Sequence, residues 1–249
     1  LKEALNYIHR PSSKEDIAAL TSGKHPMQQR LILEELLAHR LALTKLRHQE
    51  KSHAAIALPL SADKKKRFIS ALDFSLTAAQ HRVLNEIEND LNQSSPMMRL
   101  VQGDVGSGKT IVAAISMLHV VDAGKQAVFM APTELLAQQH YKNICDWFEP
   151  LGFNVVMLKG SLTAKNKRQS LEGIASGQAQ VIVGTHALFQ ADVNFKSLAL
   201  VVVDEQHRFG VHQRMTLSEK GLLDQCHPHQ LIMTATPIPR SLALTLYGD

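Results

Sequence analysis

Eight residues, Gly103-Asp104-Val105-Gly106-Ser107-Gly108-Lys109-Thr110, restrict this chain more than any other feature. They fit the pattern GxxxxGK[ST]. An apolar strand, Leu100–Gln102, leads in, and a helix with Ile111, Ile115, Leu118 and Val121 on one face leads out. That context is what phosphate binding requires. Glycines let the backbone wrap until its N–H groups converge, and the helix N-terminus adds partial positive charge. Lys109 is placed to reach the β- and γ-phosphates of a nucleotide, and the Thr110 hydroxyl to bind Mg²⁺. A bland glycine-rich turn would match this pattern by composition only about once in a hundred chains of this length.

The rest of the chain beyond residue 75 alternates short apolar strands with amphipathic helices. The strands expected are Leu100–Gln102, Ala127–Ala131, Val155–Leu158, Val181–Val183, Leu198–Val203 and Leu231–Thr234. Strands apolar throughout belong in a parallel sheet covered on both faces, so the fold class is α/β, a parallel sheet flanked by helices. Ligands of such sheets bind beyond the carboxyl ends of the strands. The strand Leu198–Val203 runs into Asp204-Glu205-Gln206-His207. A carboxylate at a strand end is weak evidence alone. Paired with the phosphate loop, it reads as the second half of a P-loop NTPase site. Asp204 would hold Mg²⁺ through its water shell, and Glu205 would polarise the attacking water.

Before residue 75 the pattern is helical. Residues 27–53 lack Gly and Pro, and Ile32, Leu36, Leu43 and Leu46 can share a face. A short helix is expected after Ser61. The expected division is therefore a helical linker or docking segment, residues 1–74, and a nucleotide-binding lobe, residues 75–249. Residues 1–79 carry 13 Lys+Arg against 8 Asp+Glu, whereas the remainder carries 14 against 15. A nucleic-acid partner fits this basic excess without being demanded by it. The stripe Arg40, Arg47, Lys51 and the run Lys64–Arg67 read more readily as solvated faces than as a DNA path.

Composition excludes several classes. Hydrophobic residues make up 45% and charged residues 20%, as in an ordinary globular chain. No apolar run approaches a membrane span, and from the polar opening Leu1-Lys2-Glu3 no secretory leader is expected. Cys145 and Cys226 form no CxxC, and reduced thiols are expected. The 13 histidines include no HExxH, and His207 with His212 makes no metal motif.

Further segments make the series recognisable: Ala131-Pro132-Thr133-Glu134-Leu135-Leu136-Ala137-Gln138-Gln139-His140, Gly184-Thr185-His186-Ala187-Leu188-Phe189-Gln190, Asp204 to Arg214 (DEQHRFGVHQR) and Thr234-Ala235-Thr236-Pro237-Ile238-Pro239-Arg240. With the nucleotide motifs, they resemble the superfamily 2 helicases, most closely the RecG-type branched-DNA helicases of bacteria, over residues ~20–249 in that family's order and spacing. The resemblance implies a RecA-like lobe and ATP hydrolysis coupled to movement on duplex DNA, remodelling stalled forks and Holliday junctions. It implies that Thr234 and Thr236, with His207, couple the nucleotide site to DNA. It implies that Pro132, Thr133, Thr185 and His186 contact the DNA backbone, although Thr133 equally suits a plain N-cap. Phe74 to Gln80 resembles an adenine-reading segment, with Phe74 packing on the base and Gln80 reading its edge. Thr77-x-x-Gln80 is also a capping box, so a structural role competes. Asp73 stands where the family pattern has Pro.

Family members have a second RecA-like lobe, whose arginines stabilise the transition state, and a wedge domain. Neither is expected in these 249 residues, so the chain reads as a fragment that hydrolyses ATP negligibly alone. The implied location is the bacterial cytoplasm, at the nucleoid. A transcription–repair coupling translocase shares DE-x-x-Arg-Phe-Gly-Val, but Gln206-His207 and His212-Gln213-Arg214 fit the RecG type better. A DNA-binding or docking module using ATP only as a switch is the alternative of another class.

Overall fold

The computed structural model describes residues 1–10, 20–51, 53–59, 61–205 and 226–235. It divides into a unit containing Leu1–Glu50 and a larger one, Lys51–Pro237. In the first, α1 (Lys2–His9) buries Ala4, and α2 runs over Pro26–Lys51. Helix α2 forms where strong helix formers and Pro26 at its start require it. Of its expected apolar face, Ile32 and Leu36 are 48% and 54% exposed, and Leu43 and Leu46 lie outside the described side chains.

The larger unit is built on six strands: β1 (Met98–Gln102), β2 (Gln126–Met130), β3 (Val155–Leu158), β4 (Val181–Gly184), β5 (Leu198–Asp204) and β6 (His229–Thr234). Their order is β1-β6-β5-β2-β4-β3, and every pair is parallel. Alternation along each strand divides the apolar residues between two faces. Ala127, Phe129, Leu200 and Val202 join one core, with α4 (Ala78–Leu91), α5 (Lys109–Asp122) and α6 (Glu134–Phe148). Val128, Met130, Val201 and Val203 join the other, with Ile174 of α7 (Ala164–Ser176) and Leu188 of the short 3-10 turn His186–Phe189. Covering both faces is why these strands carry runs of consecutive apolar residues, such as Ala127–Met130 and Leu198–Val203.

The expected division at residue 75 follows composition, whereas packing gathers Lys51–Pro237 together. Helix α3 (Ala62–Ser70) inserts Phe68, 2% exposed, edge-on against Phe148 of α6 at 5.6 Å. Its basic run is used in pairing: Lys64 meets Asp122 and Lys65 meets Glu88. The extended segment before α3 is clasped by two buried histidines. His229 Nε2 donates to Ile56 O at 2.9 Å while its Nδ1 accepts from Met97 N at 3.0 Å. His119 Nδ1 donates to Leu58 O at 3.2 Å. Burial holds both imidazoles below their usual pKa. Cys145 is half-buried, and burial pushes its thiol up to about 11, which makes it an inert packing residue.

Candidate functional site

Strand β6 lies between the strand that leads to the phosphate loop and the strand that ends in Asp204. Thr234 pairs with Gln102 of β1, and Met233 with Asp204 of β5. Gly103 N donates to Thr234 O at 3.3 Å. The ends of β1 at Gln102 and β5 at Asp204, far apart in the chain, thus lie on either side of β6, with buried Thr234 on the seam between them.

In the phosphate loop, Gly106 and Gly108 each adopt φ +82°, which a side chain would strain. A Cβ on Gly108 would fall 2.2 Å from Gln80 Nε2, so the Gln80 amide would have to move from the loop. Lys109 opens α5, and its ammonium donates to Gly103 O at 2.7 Å and Asp104 O at 2.9 Å, which stations the charge over the loop. Asp204, 8% exposed, turns one carboxylate oxygen to His140 Nε2 at 2.9 Å and accepts Glu205 N–H on the other at 3.1 Å. Glu205 has φ +51°, the only positive value at a non-glycine among the described residues. A left-handed residue costs roughly 1–2 kcal/mol, and such strain gathers at working sites. Lys109, Thr110, His140, Asp204 and Glu205 line one cleft of about 360 Å³.

This donor set fits a magnesium nucleotide. Main-chain amides and an ammonium suit phosphate oxygens, and a hydroxyl with a carboxylate suits a hard divalent cation. Among the described residues, no group of three His, Cys, Asp or Glu side chains could hold a metal by itself. A metal here would therefore need oxygens from the nucleotide or from water.

Gln80 serves two purposes. Its N–H and Oε1 close a capping box with Thr77, at 3.2 and 2.8 Å. Its Nε2 reaches Ser107 O of the phosphate loop at 3.0 Å. Phe74, 49% exposed, lines a separate open cleft with Leu72, Leu76 and His81.

The ends of β2, β3 and β4 carry the other expected residues. Exposed Thr133 caps α6, accepting Leu136 N–H at 3.3 Å, and Pro132 precedes it. Glu134 accepts Ser161 N–H at 3.1 Å and Ser161 Oγ–H at 2.5 Å, tying the loop after β3 to α6. The Ser161 hydroxyl, aided by Lys159 and His186, holds the Glu134 carboxyl below its usual range. Thr185 is 1% exposed, and its Oγ1 has no partner among the described residues. It shapes the turn through its N–H, bonded to Leu158 O, and the exposed group there is His186. His207 and Thr236 lie outside the described residues.

Sequence reasoning passed over His140 and Ser161. His140 had a readable signal: Ala137, His140, Ile144 and Phe148 recur at helical spacing and are all buried, so a histidine occupies a core position. Ser161 had none, since a serine after a strand is commonplace.

Residues 77–245 match the DEAD/DEAH box helicase family, and the chain belongs to that family. Within it, the chain is 57% identical over 249 residues to the ATP-dependent DNA helicase RecG of Pasteurella multocida. It is 56% identical over 252 residues to RecG of Escherichia coli K12. All of the chain is covered in both, but only 36% of each relative, so the chain spans about a third of their length. A solved structure of RecG bound to a three-way DNA junction superposes with a TM-score of 0.78 at 43% identity, over 89% of this chain and 29% of that one. The yeast DEAD-box splicing factor Prp28, at a TM-score of 0.57 and 20% identity over 76% of this chain and 46% of its own, shares the fold. The parallel RecA-like sheet flanked by helices is thus the helicase fold that the motifs imply. No helix among the described residues is long and apolar enough to cross a membrane.

Proposed function

We propose that the chain is the ATP-binding lobe of an ATP-dependent DNA helicase of the RecG type, which remodels branched DNA in recombination and repair. The observation that carries this reading is the convergence of the phosphate loop and Asp204-Glu205 in one cleft, in a chain 57% identical to a RecG.

The amides of Gly103 to Gly108 and the Lys109 ammonium hold the β- and γ-phosphates. Thr110 and Asp204 hold Mg²⁺, which supplies charge neutralisation at the phosphates when bound. Glu205 orients the attacking water and draws its proton. Phe74 and Gln80 receive the adenine, and the Gln80–Ser107 bond links base recognition to the phosphate loop. Thr234, on the seam, changes hydrogen-bond partners as the γ-phosphate leaves, with Thr236 and His207 as its counterparts in coupling. Pro132, Thr133 and His186 meet the DNA backbone, and buried Thr185 sets the turn that presents His186. A second RecA-like lobe and a wedge domain complete the machine, which works in the bacterial cytoplasm at the nucleoid.

The test is ATPase activity of the full-length protein with three-way or forked DNA and with linear duplex. Branched DNA should stimulate more strongly, and Glu205→Gln should abolish the stimulated rate while ATP still binds. Equal rates on every DNA, or full turnover in Glu205→Gln, would contradict the reading.

A further inference from the structure

We infer that His140 is a positioning residue that ties the DNA-facing end of α6 to the Asp204 carboxylate, so that DNA and nucleotide affinities depend on each other through it. The inference rests on the proposed reading of Asp204 as a magnesium ligand and of the α6 start as DNA-facing.

His140 is 9% exposed, with its ring tilted against Phe129 at a centroid distance of 4.6 Å. Its Nε2–H donates to Asp204 Oδ2 at 2.9 Å. A histidine serving only to satisfy a buried carboxylate is expected to satisfy its own second nitrogen too. Here Nδ1 is buried without a partner among the described residues. Asp204 already receives the Glu205 N–H, so the imidazole is a second donor on the carboxylate. Its neighbours on the same helical face, Ala137, Ile144 and Phe148, are apolar, so the polar side chain here answers the Asp204 carboxylate and no group of α6 itself.

The helix gives this contact a lever. Thr133 caps α6, and Glu134 ties its first turn to the Ser161 loop. His140 lies two helical turns further on, within the same rigid element. Leu136, Gln139 and His140, at i, i+3 and i+4, all line the nucleotide cleft. Any shift of α6 imposed at its first turn therefore moves the donor on Asp204. By linkage, a nucleotide that fixes Asp204 biases α6 in return.

The test measures the affinity of the full-length protein for magnesium AMP-PNP by calorimetry, with and without three-way DNA, and takes the ratio. In the native protein the ratio should be about 5-fold or more, within the usual range of coupling. In His140→Ala and in His140→Asn, which places its donor too short, it should fall below about 2-fold. His140→Gln, whose amide nitrogen reaches the Nε2 position, should restore it. Should the Ala variant fail to fold, the Asn and Gln pair carries the comparison. A ratio unchanged in Ala and Asn overturns the inference, as does a Gln variant no better than Asn, which reduces His140 to packing. Asp204→Asn is the separate control. If its nucleotide affinity remains as magnesium-dependent as the native protein's, the reading of Asp204 fails instead.

Discussion

At the scale of single residues, charge and donor geometry decide the site. Lys109 concentrates a full charge where the loop amides offer partial ones. Lys109→Ala should weaken nucleotide binding about 10-fold or more, since a charge-assisted hydrogen bond contributes ~1.5–3 kcal/mol. Fluorescence titration with a nucleotide analogue checks this, and unchanged affinity would remove Lys109 from the site. Glu205→Gln keeps the shape of the side chain and removes the carboxylate proposed as the base. The full-length protein should bind ATP normally and turn over about 10²–10⁴-fold more slowly, the usual contribution of a general base. The pattern residues were legible because the phosphate loop and Asp204-Glu205 need a fixed residue type at a fixed spacing. His140 was not singled out, because one histidine in an amphipathic helix specifies nothing until its partner across the sheet is known. Gln80 admitted two readings, adenine contact and a capping box; the capping box is formed, its amide nitrogen meets the phosphate loop, and adenine contact is a proposal.

At the scale of elements, the sheet and the clasp on the linker carry the stability of the site. Gly184 ends β4, and a Cβ there would lie 2.4 Å from Leu158 O, a backbone atom that cannot swing away. Gly184→Ala should destabilise the protein by roughly 1–3 kcal/mol, the cost of overpacking, read by urea unfolding. His119 and His229 clasp the segment before α3 as neutral rings, with burial holding both below the ordinary 6.5. Their folded pKa lies under the unfolded one, so the unfolded chain binds protons first as pH falls. The stability they contribute is present above pH 6.5 and is lost as pH falls through that value toward their folded pKa. Thermal melting from about pH 8 to about pH 5 should show this fall, with a smaller fall in His229→Gln. All six strands were legible through their apolar runs, but the starts of β1 (Met98-Arg99) and β6 (His229-Gln230) were not, because polar residues there break the pattern. The clasp was not, since the segment Ala54–Leu58 has neither helical nor strand periodicity and is held by distant groups. Helix α2 was legible as a helix from composition, whereas its apolar spacing did not foretell burial: Ile32 and Leu36 are each about half exposed.

At the scale of the whole molecule, the proposed reading gives this lobe the nucleotide grip and leaves part of the catalytic set to a second lobe. Arginines from a second lobe contribute about 10³–10⁵ in rate in this class of site. The 249-residue chain alone should therefore bind ATP and hydrolyse it negligibly, with or without DNA, in a phosphate-release assay. Brisk DNA-stimulated turnover would show that the catalytic set is complete within it. The central claim is narrower: the phosphate loop and Asp204 grip one magnesium nucleotide from two sides of β6. Calorimetric titration of the full-length protein with AMP-PNP, with and without magnesium, tests it most directly. Magnesium should tighten binding in the native protein and should lose that effect in Thr110→Ala and Asp204→Asn alike. Magnesium-enhanced binding that survives both substitutions would contradict the account.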